Sequence, residues 1–237
     1  MNPNVLTCYA SPYPKLRIGR DHDGGYIIAD LPDAPYRTLI AGGIGKDIAF
    51  EEDLCKLYPN ATCYACDGTI KRLPKHDSDI QFINKNVAGV NTDSCTNLHD
   101  IIDATDHVFA KMDIEGGEIP WVLSLKNEHL DKFEQIVMEF HDPFVSYRRD
   151  SANEVFGKLN KTHCLIHLHP NNCRATVPYM GVQVPVIFQC TYLHKRHFTT
   201  QPALNTDPIP GPLDMRNLRR KGEVVLTGPP FVHRSDP

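Results

Sequence analysis

Two short stretches carry the residues best suited to chemistry. Asp113, Glu115 and Glu118 stand in MDIEGGE (112–118), and Glu139 and His141 stand in VMEFHDP (137–143). Carboxylates that close an apolar run are costly unless something there needs them. Asp113 marks the tip of one predicted strand. Glu139 and His141 share one face of the next, with Met138 and Phe140 on the other. Acids and an imidazole so placed could ligate a divalent cation, or could act as a general base with its orienting acid. Glu118 opens a helix, where a negative charge is ordinary.

A second group is suited to holding a ligand. AGGIGKD (41–47) ends an earlier run, and Gly43 and Gly45 let backbone approach a ligand closely. Ile48 stands where a dinucleotide fingerprint needs its third glycine, and no Gly-Lys-Ser/Thr follows. Asp67 comes about 20 residues later, at the end of CYACD (63–67), where an acid can accept ribose hydroxyls. Together they describe a site for an adenosine-containing ligand without a pyrophosphate. HCLIHLHPNN (163–172) puts His163, His167 and His169 on one predicted strand face and Cys164, Ile166 and Leu168 on the other, with Asn171 and Asn172 at its end. GRDHDGGYII (19–28) reads as a hairpin turn, although Asp21 and Asp23 imitate the acid-x-acid motif of sugar-nucleotide transferases.

The elements that must position these residues alternate in type. Apolar runs at 36–43, 61–67, 80–87, 107–113 and 134–142 predict five strands, and helices are predicted through 49–58, 94–104, 118–127 and 151–161. Pro59 ends the first helix, and Ser94 or Thr96 would cap the second. Residues 163–172 and 182–193 read as two more strands joined without a helix, hence antiparallel. The fold class expected is α/β: a Rossmann-like sheet of seven strands, mostly parallel, with an antiparallel C-terminal hairpin. Ligands of such sheets sit beyond the carboxyl ends of the strands, where Gly43, Asp67, Asp113 and His141 would meet. Residues 1–200 are expected to form one domain, with 1–35 packing near the site. Residues 201–237 hold seven of the 19 prolines and are expected to be an extension over the surface, closing a site or partly disordered.

Composition narrows the function classes. The chain of 237 residues has a net charge of −4, which gives no reason to expect nucleic acid or an anionic membrane as partner. No apolar stretch approaches a membrane span, and MNPNVLTCYASPYPK has no signal core, so a cytoplasmic, soluble protein is expected. The eight cysteines are expected as reduced thiols; Cys63-x-x-Cys66 lacks the second pair of a structural zinc site. Nothing in the sequence sets an oligomeric state.

GRDHDGGYII, AGGIGKDIAFEEDL, CYACDGT, AKMDIEGGEIPWVL and HLHPNN occur in that order, and through them residues 17–193 resemble the FkbM-like family of S-adenosylmethionine-dependent methyltransferases. The resemblance implies the seven-strand methyltransferase sheet and O-methylation of a sugar hydroxyl on a glycan or glycoconjugate, such as a deoxy-sugar. It implies S-adenosyl-L-methionine as cofactor, held by Gly43, Gly45, Asp67, Gly25 and Tyr26. Asp113 and Glu139 would hold a divalent metal, magnesium or manganese, and His141 would be general base beside Asp113. Glu115, His169, Asn171 and Asn172 would face the sugar acceptor. A metal-free version, with His141 and Asp113 as base and orienter, stands beside it.

Three other readings stay open at this point. A metal-dependent glycosyltransferase would use Asp21 and Asp23 and bind a sugar nucleotide. A nicotinamide oxidoreductase is weakened by Ile48. A noncatalytic carbohydrate-binding module would use the histidine-lined face and would not need Asp67.

Overall fold

The computed structural model of the chain describes residues 3–75 and 79–234, so the outermost residues of the N-terminal segment and of the extension lie outside the described residues. After a short 3-10 turn, β1 (Lys15–Gly19) and β2 (Gly25–Ala29) form an antiparallel hairpin. Next come β3 (Thr38–Gly42), α1 (Ala49–Leu57), β4 (Thr62–Cys66), β5 (Gln81–Ile83), β6 (Asn86–Val87), β7 (Cys95–Thr96), α2 (His99–Asp103) and β8 (Val108–Met112). The second half holds α3 (Glu118–Ser124), α4 (Asn127–Leu130), β9 (Phe133–His141), α5 (Arg149–Thr162), β10 (His163–Pro170), β11 (Thr176–Tyr179), β12 (Val182–Pro185) and β13 (Ile187–His194).

Seven strands form the central sheet in the order β10-β13-β9-β8-β3-β4-β5. β9, β8, β3, β4 and β5 pair in parallel, and β13 runs against both of its neighbours. This is the expected α/β sheet, mostly parallel with an antiparallel C-terminal pair. Chain order reverses at β3, which sends β4 to one side and finds β8 on the other. A crevice opens at such a switch point.

Both faces of the sheet are covered, which is why its central strands read as unbroken apolar runs. Every residue of β3 and β8 is buried. Val108, Ala110 and Met112 pack with Trp121, Phe133 and Phe156, while Phe109 packs on the other face with Tyr36 and Phe50. That second face also receives the β1–β2 hairpin. The buried Gln135 side chain accepts from Ala29 N at 2.6 Å and donates to Ala29 O at 3.2 Å and the Tyr36 hydroxyl at 2.9 Å. Removing it would strand buried backbone groups at a cost of about 1–3 kcal/mol. The Thr191 hydroxyl adds a bond to Ile27 O. These ties fix Tyr26 over the carboxyl ends of the strands.

Several expected elements are shorter or divided. Residues 80–87 form β5 and β6 rather than one strand, because the Asn84 side chain turns back to Asp67 O and Ile70 O and breaks the run. Residues 94–104 are helical only from His99. Cys95 and Thr96 pair with Asn86 and Val87 instead, so neither Ser94 nor Thr96 is the cap, and Asn97 Oδ1 accepts from His99 N. The helix from Glu118 stops at Ser124, where Leu125 turns extended. Residues 182–193 divide between β12 and β13 after Pro185, whose missing N–H cannot continue a ladder. A bulge between Leu165 and His167 breaks the alternation of β10. Leu168 therefore joins the face of Leu165, and Cys164 and Ile166 the other. His163, two residues before Leu165, is parted from His167 and His169.

Residues 201–234 are irregular but stitched down. Ile209, Leu226 and Phe231 are buried in the same core as Phe188 and Tyr192. All eight cysteines are free, and burial pushes the Cys66 thiol up to about 12. Among the described residues no helix is long and apolar enough to cross a membrane.

Candidate active site

A cavity of about 400 Å³ lies at the switch point. Gly43, Gly45, Asp67, Thr69, Asn86 and Val87 line one part of it; Tyr26, Lys111, Asp113 and Glu115 line another, with Asp23, Gly24, Asp47 and Glu51 beside them. These are the tips of β3, β4 and β8 with the hairpin folded above.

The glycine turn is shaped by close approach. A Cβ on Gly43, where φ is +72°, would lie 1.6 Å from Asp113 O, so the β3 and β8 tips touch there through bare backbone. Gly45 also has positive φ, +53°, but a Cβ there would meet nothing and would project into open space. Gly45 N donates to Asp67 Oδ2 at 2.8 Å, and Asp67 Oδ1 accepts from Thr69 N at 2.7 Å and the Thr69 hydroxyl at 2.6 Å. Burial would raise the Asp67 pKa, but the Thr69 hydroxyl and the amides of Gly45, Thr69 and Ile70 outweigh it and hold the carboxyl below its usual range. These donors satisfy most of the carboxylate within the chain, so a ligand hydroxyl would share an oxygen that the chain already bonds.

On the β8 side the Tyr26 hydroxyl donates to Asp113 Oδ2 at 2.7 Å. Lys111, a cation inside an apolar strand, is buried below Tyr26 and donates to Gly43 O at 3.0 Å, with its ammonium 5.2 Å from the Tyr26 ring centre. Glu51 of α1 is buried beside it. Its Oε1 has no hydrogen-bond partner among the described residues, and burial raises its pKa against the pull of Lys111.

Behind Asp113 lies a denser charge cluster. His141 Nε2 is 3.9 Å from Asp113 Oδ1, 3.6 Å from Glu139 Oε1 and 3.4 Å from Glu115 Oε2, and its Nδ1 is 3.1 Å from Glu118 Oε1. Glu118 is almost fully buried and also accepts from Ile114 N at 3.1 Å and Gly116 N at 3.2 Å. It therefore organises the Gly116-Gly117 turn and orients the imidazole at once. Glu139 accepts from Asn171 Nδ2 and Gln189 Nε2, both at 3.0 Å. Burial, then Asp113, pushes Glu139 up to about 7. Burial opposes the charge on His141, but Glu118 and then Glu139 and Asp113 overcome it and raise the imidazole to about 9.

Asp113, Glu139 and His141 present ligand atoms within 4.8 Å of one another and are the one such group of three among the described residues. The donor set fits a divalent ion. With Nδ1 turned to Glu118, Nε2 faces Asp113 and Glu139, where it can either join them on the ion or handle a proton beside it. Asp21 and Asp23 form no comparable group. Asp23 Oδ1 accepts from Asn217 Nδ2 at 3.1 Å.

The structure brings Gly43, Gly45, Asp67, Tyr26, Asp113 and Glu115 around one cavity and sets Glu139 and His141 against Asp113. Gly25 does not line it; the bare Cα packs on Arg20 O and Arg17 in the hairpin. Asn171 is buried and supports Glu139. His169 and Asn172 lie under the tail rather than at the cavity. His169 Nε2 is 3.5 Å from Glu223 Oε2, and Asn172 Nδ2 donates to Leu218 O, Lys221 O and Gly222 O. Lys111, Glu51, Glu118 as an orienting group and Gln189 were not singled out from sequence. Lys111 carried a signal, being the lone charge in VFAKM.

No protein-family model matches the chain, and no curated protein matches it. Among solved structures, a protein of Pyrococcus horikoshii provisionally described as an RNA methyltransferase is similar over 68% of this chain and 76% of its own, at 8% identity and a TM-score of 0.38. LepI, in complex with SAH and a substrate analogue, is similar over 70% of this chain and 45% of its own, at 12% identity and a TM-score of 0.34. This chain thus matches less than half of LepI. Likeness at this level bears on neither chemistry nor substrate.

Proposed function

We propose that the chain is an S-adenosylmethionine-dependent O-methyltransferase acting on a sugar hydroxyl, with a divalent ion at Asp113 and Glu139. The observation that supports it most is the convergence of the Gly43–Gly45 turn, Asp67 and Asp113 on one cavity at the switch point. The cofactor would supply an activated sulfonium methyl, leaving the chain to align a weakly acidic hydroxyl behind it. Gly45 leaves room for the adenosyl end, and a ribose hydroxyl would share an Asp67 oxygen with the chain's own donors. Such alignment can supply roughly 7–11 kcal/mol in favourable cases.

Proton handling falls to the cluster behind Asp113. Glu118, Glu139 and Asp113 outweigh burial and keep His141 protonated at neutral pH, so alone it is no base there; this weighs against the metal-free version. An ion on Asp113 and Glu139 would offset that negative charge and polarise the acceptor oxygen. His141 Nε2, held in place through Nδ1 by Glu118, would then accept the hydroxyl proton. Tyr26 keeps Asp113 turned toward the cavity.

Calorimetry with S-adenosylhomocysteine tests the cofactor, and methyl transfer to deoxy-sugar acceptors with and without EDTA tests the rest. Failure of S-adenosylhomocysteine to bind would end this reading. Full activity in EDTA would remove only the ion.

A further inference from the structure

The tail segment DMRNLRRKGE (214–223) places Arg216, Arg219, Arg220 and Lys221 within six positions of a chain whose net charge is −4. Its two acids turn inward: Asp214 Oδ1 lies 3.1 Å from His167 Nε2, and Glu223 Oε2 faces His169. Arg216, Arg219 and Arg220 are exposed, and their guanidiniums form no ion pair or hydrogen bond among the described residues. Three cations with no partner among the described residues are free to meet an anion from outside the chain.

The backbone that carries these arginines is held firmly. His22 Nδ1 donates to Arg216 O at 2.8 Å, and Asn217 Nδ2 donates to Asp23 Oδ1. Asn172, buried to 3% exposure, accepts from Leu218 N at 2.7 Å and donates to three carbonyls of residues 218–222. Lys221 Nζ donates to Cys173 O at 2.7 Å. Asp23 lines the cavity, and Asn171, the neighbour of Asn172, supports Glu139. The strap is therefore tied to the hairpin and to the loop after β10, and by none of these bonds to Asp67 or Asn86. Through Asn217 and Asp23 it is joined to the hairpin wall of the cavity.

We infer that the acceptor sugar carries a phosphate, bound by Arg216, Arg219 and Arg220 while its hydroxyl lies at Asp113. This rests on the methyl-transfer reading of the cavity and adds the acceptor class. Guanidinium forks match phosphate oxygens two at a time, and three forks carried on one short segment suit a dianion better than a single carboxylate. A polynucleotide would need cations along a longer track. Here Asp23, Asp47 and Glu115 line the cavity instead, so a small phosphorylated sugar is the occupant that fits.

The test is calorimetry on the full chain saturated with S-adenosylhomocysteine, titrated with glucose, glucose 1-phosphate, uridine diphosphate glucose and a short single-stranded RNA. The phosphorylated sugars are expected to bind, with affinity that falls as salt rises, and glucose is expected not to. Combined Arg216→Ala, Arg219→Ala and Arg220→Ala should weaken them at least tenfold, leave S-adenosylhomocysteine affinity within twofold, and leave the melting temperature in place. Preference for the diphosphate points to a nucleotide-linked sugar and preference for the monophosphate to a sugar phosphate. Unchanged binding in the triple variant, equal binding of glucose, no binding of either phosphorylated sugar, or tighter binding of RNA overturns the inference. Since S-adenosylhomocysteine is titrated first, its failure to bind is recorded separately and removes the cofactor reading itself.

Discussion

At the tips of β3 and β4 the cavity is walled by backbone and by one carboxylate that the chain itself satisfies. At the tips of β8 and β9 four carboxylates converge on a single imidazole. Asp67 sits below its usual pKa with three hydrogen bonds in hand, whereas Glu139 is pushed up to about 7 and His141 to about 9. The first wall has little left to gain from a ligand beyond shape and one hydroxyl. The second is unbalanced and responds to any added cation or lost proton. A part of a site that only holds a ligand can be finished in advance; a part that must move charge is kept off balance.

The strongest way to break this contrast is Gly43→Ala, which would drive a methyl into Asp113 O and force an L side chain into positive φ. A loss of roughly 3 kcal/mol or more in denaturant unfolding is expected, with S-adenosylhomocysteine binding abolished. A variant of wild-type stability would mean the two strand tips are not in contact. Next, His141→Ala should cut turnover on the true acceptor by about 10²–10⁴-fold while cofactor affinity holds. Equal loss in both would erase the division of labour. Asp67→Asn should do the reverse, weakening S-adenosylhomocysteine about tenfold, near 1.4 kcal/mol, and sparing metal affinity. Unaltered cofactor affinity would remove Asp67 from that wall.

The smallest effect is one of pH. His141 has a folded pKa near 9, above its ordinary 6.5, so its stabilising proton is fully present below about 6.5 and is lost as pH rises through 9. Without metal, the melting temperature should fall across that window, and His141→Gln should flatten the fall. Manganese should reverse it, because ligands must shed protons to bind an ion. A flat profile in the unsubstituted chain would show that the acids do not hold that proton.

Most of the sheet was legible because buried parallel strands write themselves as apolar runs and their ends as Gly, Asp or Glu. The glycine turn, Asp67, Asp113, Glu139 and His141 were readable on those grounds. What escaped depended on partners far along the chain. Glu118 reads as an ordinary first-turn acid until His141 is brought beside it. Asn171 supports Glu139 and Asn172 clasps the tail, so their amides are spent inside the protein. The bulge in β10 cannot be seen in HCLIHLH, where alternation looks unbroken, and the short ladder of β6 with β7 outcompeted a helix because Asn84 and Asn97 bond locally to backbone.

The position of β13 sets the timetable by which the chain can assemble. Among the strands of the central sheet it comes last in chain order, yet it lies between β9 and β10, so β10 has no partner within that sheet until residues 187–194 exist. Until then a nascent chain exposes the open edge of β9, with its unpaired amides and carbonyls available to other chains. Closing that gap requires contacts distant in sequence, which slows folding and makes the interval before completion the time of greatest vulnerability to aggregation.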